Sequence, residues 1–485
     1  MVWVEGRSKG YEEGKEYKMR QQAVNPYLPL DEYVPDGEPR VFGDRLYIFG
    51  SHDRSHGRKF CMNDYVGWSA PCDNLADWRY EGVIYRKTDD PNNIEKEAMY
   101  APDVVRGPDG NYYMFYGHGS KKQPEEWQIH VAVCSMPTGR YQYYGTIDLS
   151  AWKERYFPFD PAVLVDDDQR VWLYYGFGSG DWRQGNKGCG GAVVELASDM
   201  KTVVSEPKAT LPNKYTNTEE TLRGHAFFEA SSIRKIWGKY YFIYSSELSH
   251  ELCYAISDAP DGIFRYRGVL ISNSDYGWNG NTVFRNWWGN NHGSLAEING
   301  QWYIFYHRHT QQSAFSRQGC AEKIVLQKNG DFIQAECTSC GLNRGPLCAA
   351  GKYSAAIAAN LYNWPDTSAS IDCKRKKGVY FDEERVQGIR ISMIKRFSSS
   401  ARAVYKYFLL EGETCIRIRI RGNAKGIFTV LTFGGQTDIP IEIRGKEWVF
   451  ISGVIFFHGK SALEFRYSGT GTFDIRDFEF VTLKP

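Results

Sequence analysis

The pattern of apolar and polar positions repeats along the chain. Five times an apolar strand runs into a Gly- or Asp-containing turn and then an aromatic-rich strand ending in small residues. The copies read RVFGDRLYIFGS (40–51), DVVRGPDGNYYMFYG (103–117), PAVLVDDDQRVWLYYG (161–176), SSIRKIWGKYYFIYSS (231–246) and GSLAEINGQWYIFYH (293–307). With Tyr47, Tyr113, Trp172, Tyr241 and Tyr303 as equivalent positions, the steps are 66, 59, 69 and 62 residues, a mean of 64. Side chains alternate on both sides of each turn, which marks a β-hairpin. Further short strands follow, such as IHVAVCS (129–135), GAVVELAS (191–198) and LCYAISD (252–258). That predicts one four-stranded sheet per copy, and five such sheets around an axis make a five-bladed propeller. The period exceeds the roughly 40–45 residues of a WD40 repeat. A β-sandwich cut at the same period is the alternative architecture.

The pattern stops near Gln327, and from about Lys352 strands without that period take over. CIRIRIRG (415–422), KGIFTVLTF (425–433), WVFISGVIFF (448–457) and ALEFRYSG (462–469) read as four separate strands of a jelly-roll-like β-sandwich. The expected organisation is all-β: a polar N-terminal arm (1–24), a propeller (25–330), a connector packed on it (331–351) and the sandwich (352–485).

Composition narrows the partners. A chain of 485 residues is too long for one ordinary core. With 59 basic and 58 acidic residues the net charge is +1, which leaves no electrostatic case for nucleic acid or an anionic membrane. No run of about 18 apolar residues is present. Residues Met1–Gln22 are polar, without the apolar segment of a signal peptide. Eleven scattered cysteines argue against a disulfide framework, and the two features together lead us to expect a cytoplasmic protein, or a secreted one if a leader has been trimmed away. Cys337-x2-Cys340 with Cys348 lacks the second pair that a structural zinc site needs, so these read as buried thiols.

Counting back from the five aromatic markers places Asp36, Asp103, Asp160, Glu229 and His292 10 to 12 residues upstream, near the start of each innermost strand. A cyclic fold aims them at one end of one channel. Four carboxyls crowded there repel one another, a cost that is expected at a working site. Asp also caps turns, and that remains the plain reading of Asp103 alone. Carboxyls facing each other across a cleft are the equipment of glycoside hydrolysis, one activating water and another donating a proton.

These segments, NPYLPLDEYVPDGEPRVFGDRLYIFGSHD (25–53), YAPDVVRGPDGNYYMFYG (100–117), FDPAVLVDDDQRVWLYYG (159–176), FEASSIRKIWGKYYFIYS (228–245) and NNHGSLAEINGQWYIFYHR (290–308), resemble glycoside hydrolase family 43 along the whole propeller. The resemblance implies an inverting glycosidase with Asp36 as general base, Glu229 as general acid and Asp160 as the carboxylate that tunes the acid. It implies an oligosaccharide substrate, ending in an α-L-arabinofuranosyl or β-D-xylosyl residue removed by exo action. β-D-galactofuranosides, galactosides and endo-arabinanase action stay as alternatives. The family's Asp-Pro is here Asp36-Gly37-Glu38-Pro39, so Glu38 is a rival base, and Tyr100 stands where a Trp is usual, at a cleft wall. Arg317 occupies the position of a substrate-contacting arginine, with a surface role as the other reading.

His52 and Asp53 are cleft candidates or a structural pair. His292 resembles the histidine that approaches a hydrated axial ion, with a hydrogen bond to a channel carboxylate as the alternative. The chemistry requires no cofactor, and a structural calcium or other hydrated ion is the one addition the resemblance suggests. Segments 118–128 and 275–291 are expected to wall the channel mouth. Tyr362 and Trp364 would carry sugar binding if the C-terminal domain is more than a brace. A propeller lectin needs sugar-facing aromatics but no base, acid and modulator. Fructan-cleaving propellers use a carboxylate nucleophile and retain configuration.

Overall fold

A computed structural model describes residues 22–93, 97–119, 127–178, 188–365, 370–373 and 377–481. The N-terminal arm up to residue 21 lies outside the described residues, as does most of segment 118–128. Among the described residues no helix is long and apolar enough to cross a membrane.

Five antiparallel sheets form the blades of a propeller. Four have four strands, with innermost strands Glu38–Phe42, Tyr100–Arg106, Ala162–Val165 and Phe227–Ile236. The marker aromatics all fall on second strands and pair in near-equivalent register: Arg40 with Tyr47, Val105 with Tyr113, Leu164 with Trp172, Arg234 with Tyr241, and Ala296 with Tyr303. The repeat in the sequence is therefore a repeat of one hydrogen-bond register.

The fifth blade departs from expectation. Among the described residues it has three strands, Leu295–Ile298, Gln301–Thr310 and Ser313–Lys323. The chain preceding the first blade lies along the outer one. Tyr27 N donates to Gly319 O at 3.2 Å, Asn25 Nδ2 donates to Ala321 O at 2.9 Å and Ala321 N donates to Asn25 Oδ1 at 3.0 Å. At the axis, Gly37 and Gly293 form a parallel bridge. Gly293 is required there, because a β-carbon would stand 1.9 Å from Phe305 O. Together these contacts close the ring.

Apolar burial follows the same cyclic logic. Five separate core clusters each join side chains of two neighbouring blades, and a sixth fills the C-terminal domain. Tyr116, Tyr174 and Tyr244 are among the largest fully buried side chains. Each buried aromatic of this size contributes about 1.5–3 kcal/mol.

The C-terminal domain is a jelly-roll-like sheet curled around its core, but two pairs of expected strands are fused. Ala401–Thr432 runs 32 residues and Val449–Val481 runs 33. Ile416, Ile418 and Ile420 each pair with the second long strand on both sides, through residues 449–453 and 475–480. Gly412 (φ 107°) and Gly422 (φ 146°) let the strand bend between layers without leaving the ladder. The sequence's turn signals are therefore bends here rather than breaks. Pairing of this sheet begins already at Leu347, inside the expected connector, with Leu347 opposite Phe408. Phe332, Ala335 and Cys337 of that connector pack into the core between blades four and five.

The two domains share buried polar contacts. Lys406 Nζ lies 2.7 Å from Asp275 Oδ2 and 2.9 Å from Glu336 Oε1. Trp287 Nε1 donates to Val379 O at 3.0 Å.

Candidate active site

Each innermost strand approaches the axis through strained backbone. Asp36 (φ 55°), Asp160 (φ 46°), Ala101 (φ 37°) and Ala230 (φ 65°) are left-handed non-glycine residues. The pairing register shifts between Tyr100 and Asp103 and again between Glu229 and Ser232. Such bulges re-aim side chains, at about 1–3 kcal/mol per strained residue. Here the shift in blade four turns Glu229, and the left-handed backbone at Asp36 and Asp160 turns those two, towards one pocket.

Asp36 is buried and tightly held. Arg317 Nη1 donates to its Oδ1 at 2.7 Å, and His307 Nδ1 lies 3.4 Å from both Oδ1 and the Asp36 backbone nitrogen. His307 Nε2 faces Asn290 Oδ1 at 3.3 Å, which places the ring proton on Nε2 and leaves Nδ1 to accept from the Asp36 amide. Burial, the largest single influence, would raise the pKa of Asp36, but the Arg317 guanidinium together with His307 and His292 outweighs it and holds the carboxyl well below the usual range.

The other two carboxyls are pushed the opposite way. Burial, then the charge of Asp36, pushes Glu229 up to about 8. Burial, then Glu229 and Asp36, raises Asp160 well above an ordinary aspartate. Asp160 Oδ2 accepts from Ala230 N at 2.9 Å, tying it to the residue beside Glu229, and lies 3.5 Å from His292 Nδ1. At neutral pH the pocket thus holds one ionised carboxylate opposite a carboxyl that keeps its proton.

Not every predicted residue joins this group. Asp103 lies deeper in the channel, where Arg40 Nη2 contacts both its oxygens at 2.6 Å and Val163 N donates at 2.7 Å. The expected ring of carboxyls is thus split into two layers, and Asp103 belongs with the structural ion pairs below. Glu38 shares that layer, taking Arg234 Nη2 at 2.5 Å and Ser232 Oγ at 3.2 Å. The bulge at Ala101 explains the offset, since it shifts Asp103 along its strand. His52 is engaged elsewhere, with Asp64 O at 2.7 Å and Glu32 Oε1 at 3.0 Å. Asp53 does reach the site, through Arg317: its Oδ2 takes Nε at 2.9 Å and its Oδ1 takes Nη2 at 3.1 Å. Arg317 is accordingly buried and holds two carboxylates, which is not the surface role left open for it.

Tyr100 is half-buried within an aromatic wall, 5.2 Å from Trp127 and 5.9 Å from Phe159 between ring centroids. Phe159 continues to Phe177 at 5.1 Å, and Phe177 to Phe228 at 5.2 Å. Phe159, Phe177 and Phe228 were not singled out from the sequence, although Phe159 and Phe228 directly precede Asp160 and Glu229. His307 was also missed; it sits four residues after the blade-five marker, where that strand reaches the axis.

His292 is buried, and burial lowers its pKa to about 4, so its ring is neutral. Its Nδ1 is spent on Asp160 and, at 3.9 Å, Asp36. Calcium takes roughly six to eight oxygens, and among the described residues no three ligand atoms converge at the axis. The side chains do not form a protein-ligated calcium site, and no chemical step is assigned to an ion. Cys337 and Cys340 donate to Ser272 O and Tyr407 O, as buried or half-buried thiols.

Carboxyls held in opposite protonation states around one propeller axis are the working parts of a glycosidase. The chain belongs to glycosyl hydrolases family 43, which it matches over residues 41–332. A xylosidase/arabinosidase of Thermoclostridium stercorarium is 44% identical over 488 residues, covering 96% of this chain and all of that protein. The crystal structure of a β-xylosidase/α-arabinofuranosidase from a compost microbial metagenome, with xylotriose and in a calcium-free form, superposes with a TM-score of 0.53 at 25% identity, over 65% of this chain and 98% of that one. A Bacillus subtilis arabinoxylan arabinofuranohydrolase shares the fold of both domains, with a TM-score of 0.50 at 19% identity over 95% of this chain and 98% of that one. The protein is a glycosidase of this family.

Proposed function

We propose that the protein is an inverting exo-glycosidase that removes terminal β-D-xylosyl or α-L-arabinofuranosyl residues from oligosaccharides. Glu229 gives its proton to the glycosidic oxygen as the bond to the anomeric carbon breaks. Asp36 takes a proton from the water that attacks that carbon on the opposite face. Asp160, bonded to the amide of Ala230, orients Glu229, burial and the charge of Asp36 keep Glu229 protonated, and Arg317 helps to keep Asp36 ionised. The wall from Tyr100 to Phe228 offers the apolar ring faces that a sugar stacks on. The observation that carries this reading is the meeting of carboxyls from separate blades: His292 Nδ1 lies 3.9 Å from Asp36 Oδ1 and 3.5 Å from Asp160 Oδ2, and Asp160 is bonded to the amide beside Glu229. Their surroundings displace Asp36 and Glu229 in opposite directions. The names of the relatives support the choice of sugars.

The test is a screen of nitrophenyl β-D-xyloside, α-L-arabinofuranoside and β-D-galactofuranoside, with the first-formed product anomer read by NMR. Hydrolysis of either of the first two with inversion is expected. Retention would overturn the single-displacement mechanism, and exclusive galactofuranoside cleavage would overturn the substrate.

A further inference from the structure

Blade four carries a second cluster of reactive side chains, on its outer strands. Glu251 and Cys253 lie two residues apart on its third strand, Glu251–Ser257, and so share a face. Ser246 ends the second strand, and His225 lies on the chain entering the innermost one. The other three meet at one oxygen of Glu251. His225 Nδ1 lies 2.6 Å from Oε1, Ser246 Oγ donates to it at 2.6 Å and Cys253 Sγ donates to it at 3.3 Å. Cys253 Sγ is in turn 3.9 Å from His225 Nδ1. Cys253 and Glu251 are buried, whereas 30% of the His225 side chain is open to solvent. The Tyr266 ring stacks on the imidazole at 4.9 Å and 12°, which fixes the plane in which Nδ1 faces the other two donors.

We propose that His225, Glu251 and Cys253 bind one Zn²⁺ ion, which staples the chain entering the Glu229 strand to the rest of blade four. A tetrahedral zinc ion with bonds of about 2.0–2.3 Å holds its donor atoms about 3.3–3.6 Å apart. The triangle formed here, with sides of 2.6, 3.3 and 3.9 Å, brackets that spacing. A retreat of His225 towards solvent by less than about 1 Å opens its short side to the spacing zinc needs. Binding sends the Cys253 thiol proton, and any proton on His225 Nδ1, to solvent. One thiolate and one carboxylate then balance the charge of the ion, and water takes the fourth position. The donor set also selects the metal, since thiolate and imidazole suit zinc while calcium and magnesium take oxygen. Among the described residues another trio gathers, Asp90, His118 and His130, but its two imidazoles stack at 4.0 Å and 9°. Their lone pairs run side by side and do not converge. At the proposed site the docking is already begun: Tyr244 Oη donates to His225 O at 2.8 Å and Glu247 N donates to Ala226 O at 2.9 Å.

The experiment takes the full-length protein, reduced and freed of metal with a chelator that is then removed, and titrates it with Co²⁺ followed by Zn²⁺. Co²⁺ binds at one equivalent per chain with the near-ultraviolet absorption of a cobalt–thiolate bond, and Zn²⁺ displaces it. Zn²⁺ also raises the melting temperature of the wild type. Cys253→Ala abolishes the thiolate absorption. His225→Ala weakens Zn²⁺ binding by about a hundredfold and loses the thermal gain. Because His225 is half-exposed, that variant tests the site even where replacing the buried Cys253 prevents folding, and a cooperative melt without metal shows that it is folded. Absence of the thiolate absorption in the wild type overturns the proposal. So does wild-type affinity in His225→Ala, which would place the ion on other thiols.

Discussion

Arg317 and Asp36 form a buried ion pair at 2.7 Å, and the far edge of the same guanidinium is clamped by Asp53. The planar fork of arginine spans both carboxylates at once, which the point charge of a lysine cannot do. Arg317→Gln removes the cation that depresses Asp36, so the acid limb of kcat/KM moves to higher pH. Arg317→Lys restores part of that shift but not the rate, because Asp36 is no longer fixed in position. Asp53→Asn keeps the cation and loosens its anchor, lowering kcat by about tenfold to a hundredfold without the upward shift. Rate–pH profiles of the three variants separate charge from placement.

Asp36 and Glu38 are two residues apart but lie in different layers of the channel. Asp36→Asn loses about 10²–10⁴-fold on every glycoside, including those with good leaving groups, because a base is needed whatever departs. Glu38→Gln instead strands Arg234 without its buried partner and destabilises the fold by about 3–5 kcal/mol. Activity assays and thermal melts on the two variants give opposite patterns. A catalytic collapse in a stably folded Glu38→Gln would reassign the base.

Glu229 with a pKa near 8 sets the alkaline limit: kcat/KM declines as pH rises through about 8 and the acid loses its proton. The same displacement has a sign for stability. The folded state holds this proton more tightly than the unfolded chain, so the contribution is full below the ordinary value of 4.5 and is lost as pH rises through about 8. Glu229→Gln has no such loss. Its melting temperature should exceed that of wild type by a margin that grows between those two pH values. Its activity should fall far more on xylobiose than on nitrophenyl glycosides, whose leaving group needs little protonation.

Lys406 is a buried cation between the domains, facing Asp275 and Glu336. Lys406→Ala leaves Asp275 fully buried with no counter-charge and costs about 3–5 kcal/mol. Calorimetry should show one transition for the wild type, moved down in the variant. Two separate transitions in the wild type would show that the domains unfold independently.

Much of this molecule was legible in the chain, and the failures are instructive. The hairpins were readable because alternation and turn residues are local properties of a few neighbouring positions, and the repeated register of Tyr47, Tyr113, Trp172, Tyr241 and Tyr303 follows from them. The long strands Ala401–Thr432 and Val449–Val481 were read as four pieces, since a glycine signals a turn equally well whether the ladder ends there or bends. Spacing alone groups Asp103 with Asp36. A bulge at Ala101 is invisible to such counting, because alanine carries no mark of left-handed backbone. Phe159 and Phe228 went unnoticed in a chain so rich in aromatics that adjacency to an acid was the one usable sign.

The amino-acid order determined the number of blades, their strand order and which acidic residues come to the axis, because periodicity and turn chemistry act over a few residues. The folded arrangement alone decided which of those acids is ionised. Protonation depends on through-space neighbours in a dry channel: Arg317 from blade five on Asp36, and Asp36 from blade one on Glu229. Charges separated by hundreds of residues interact only once closure of the ring has set the distance between them.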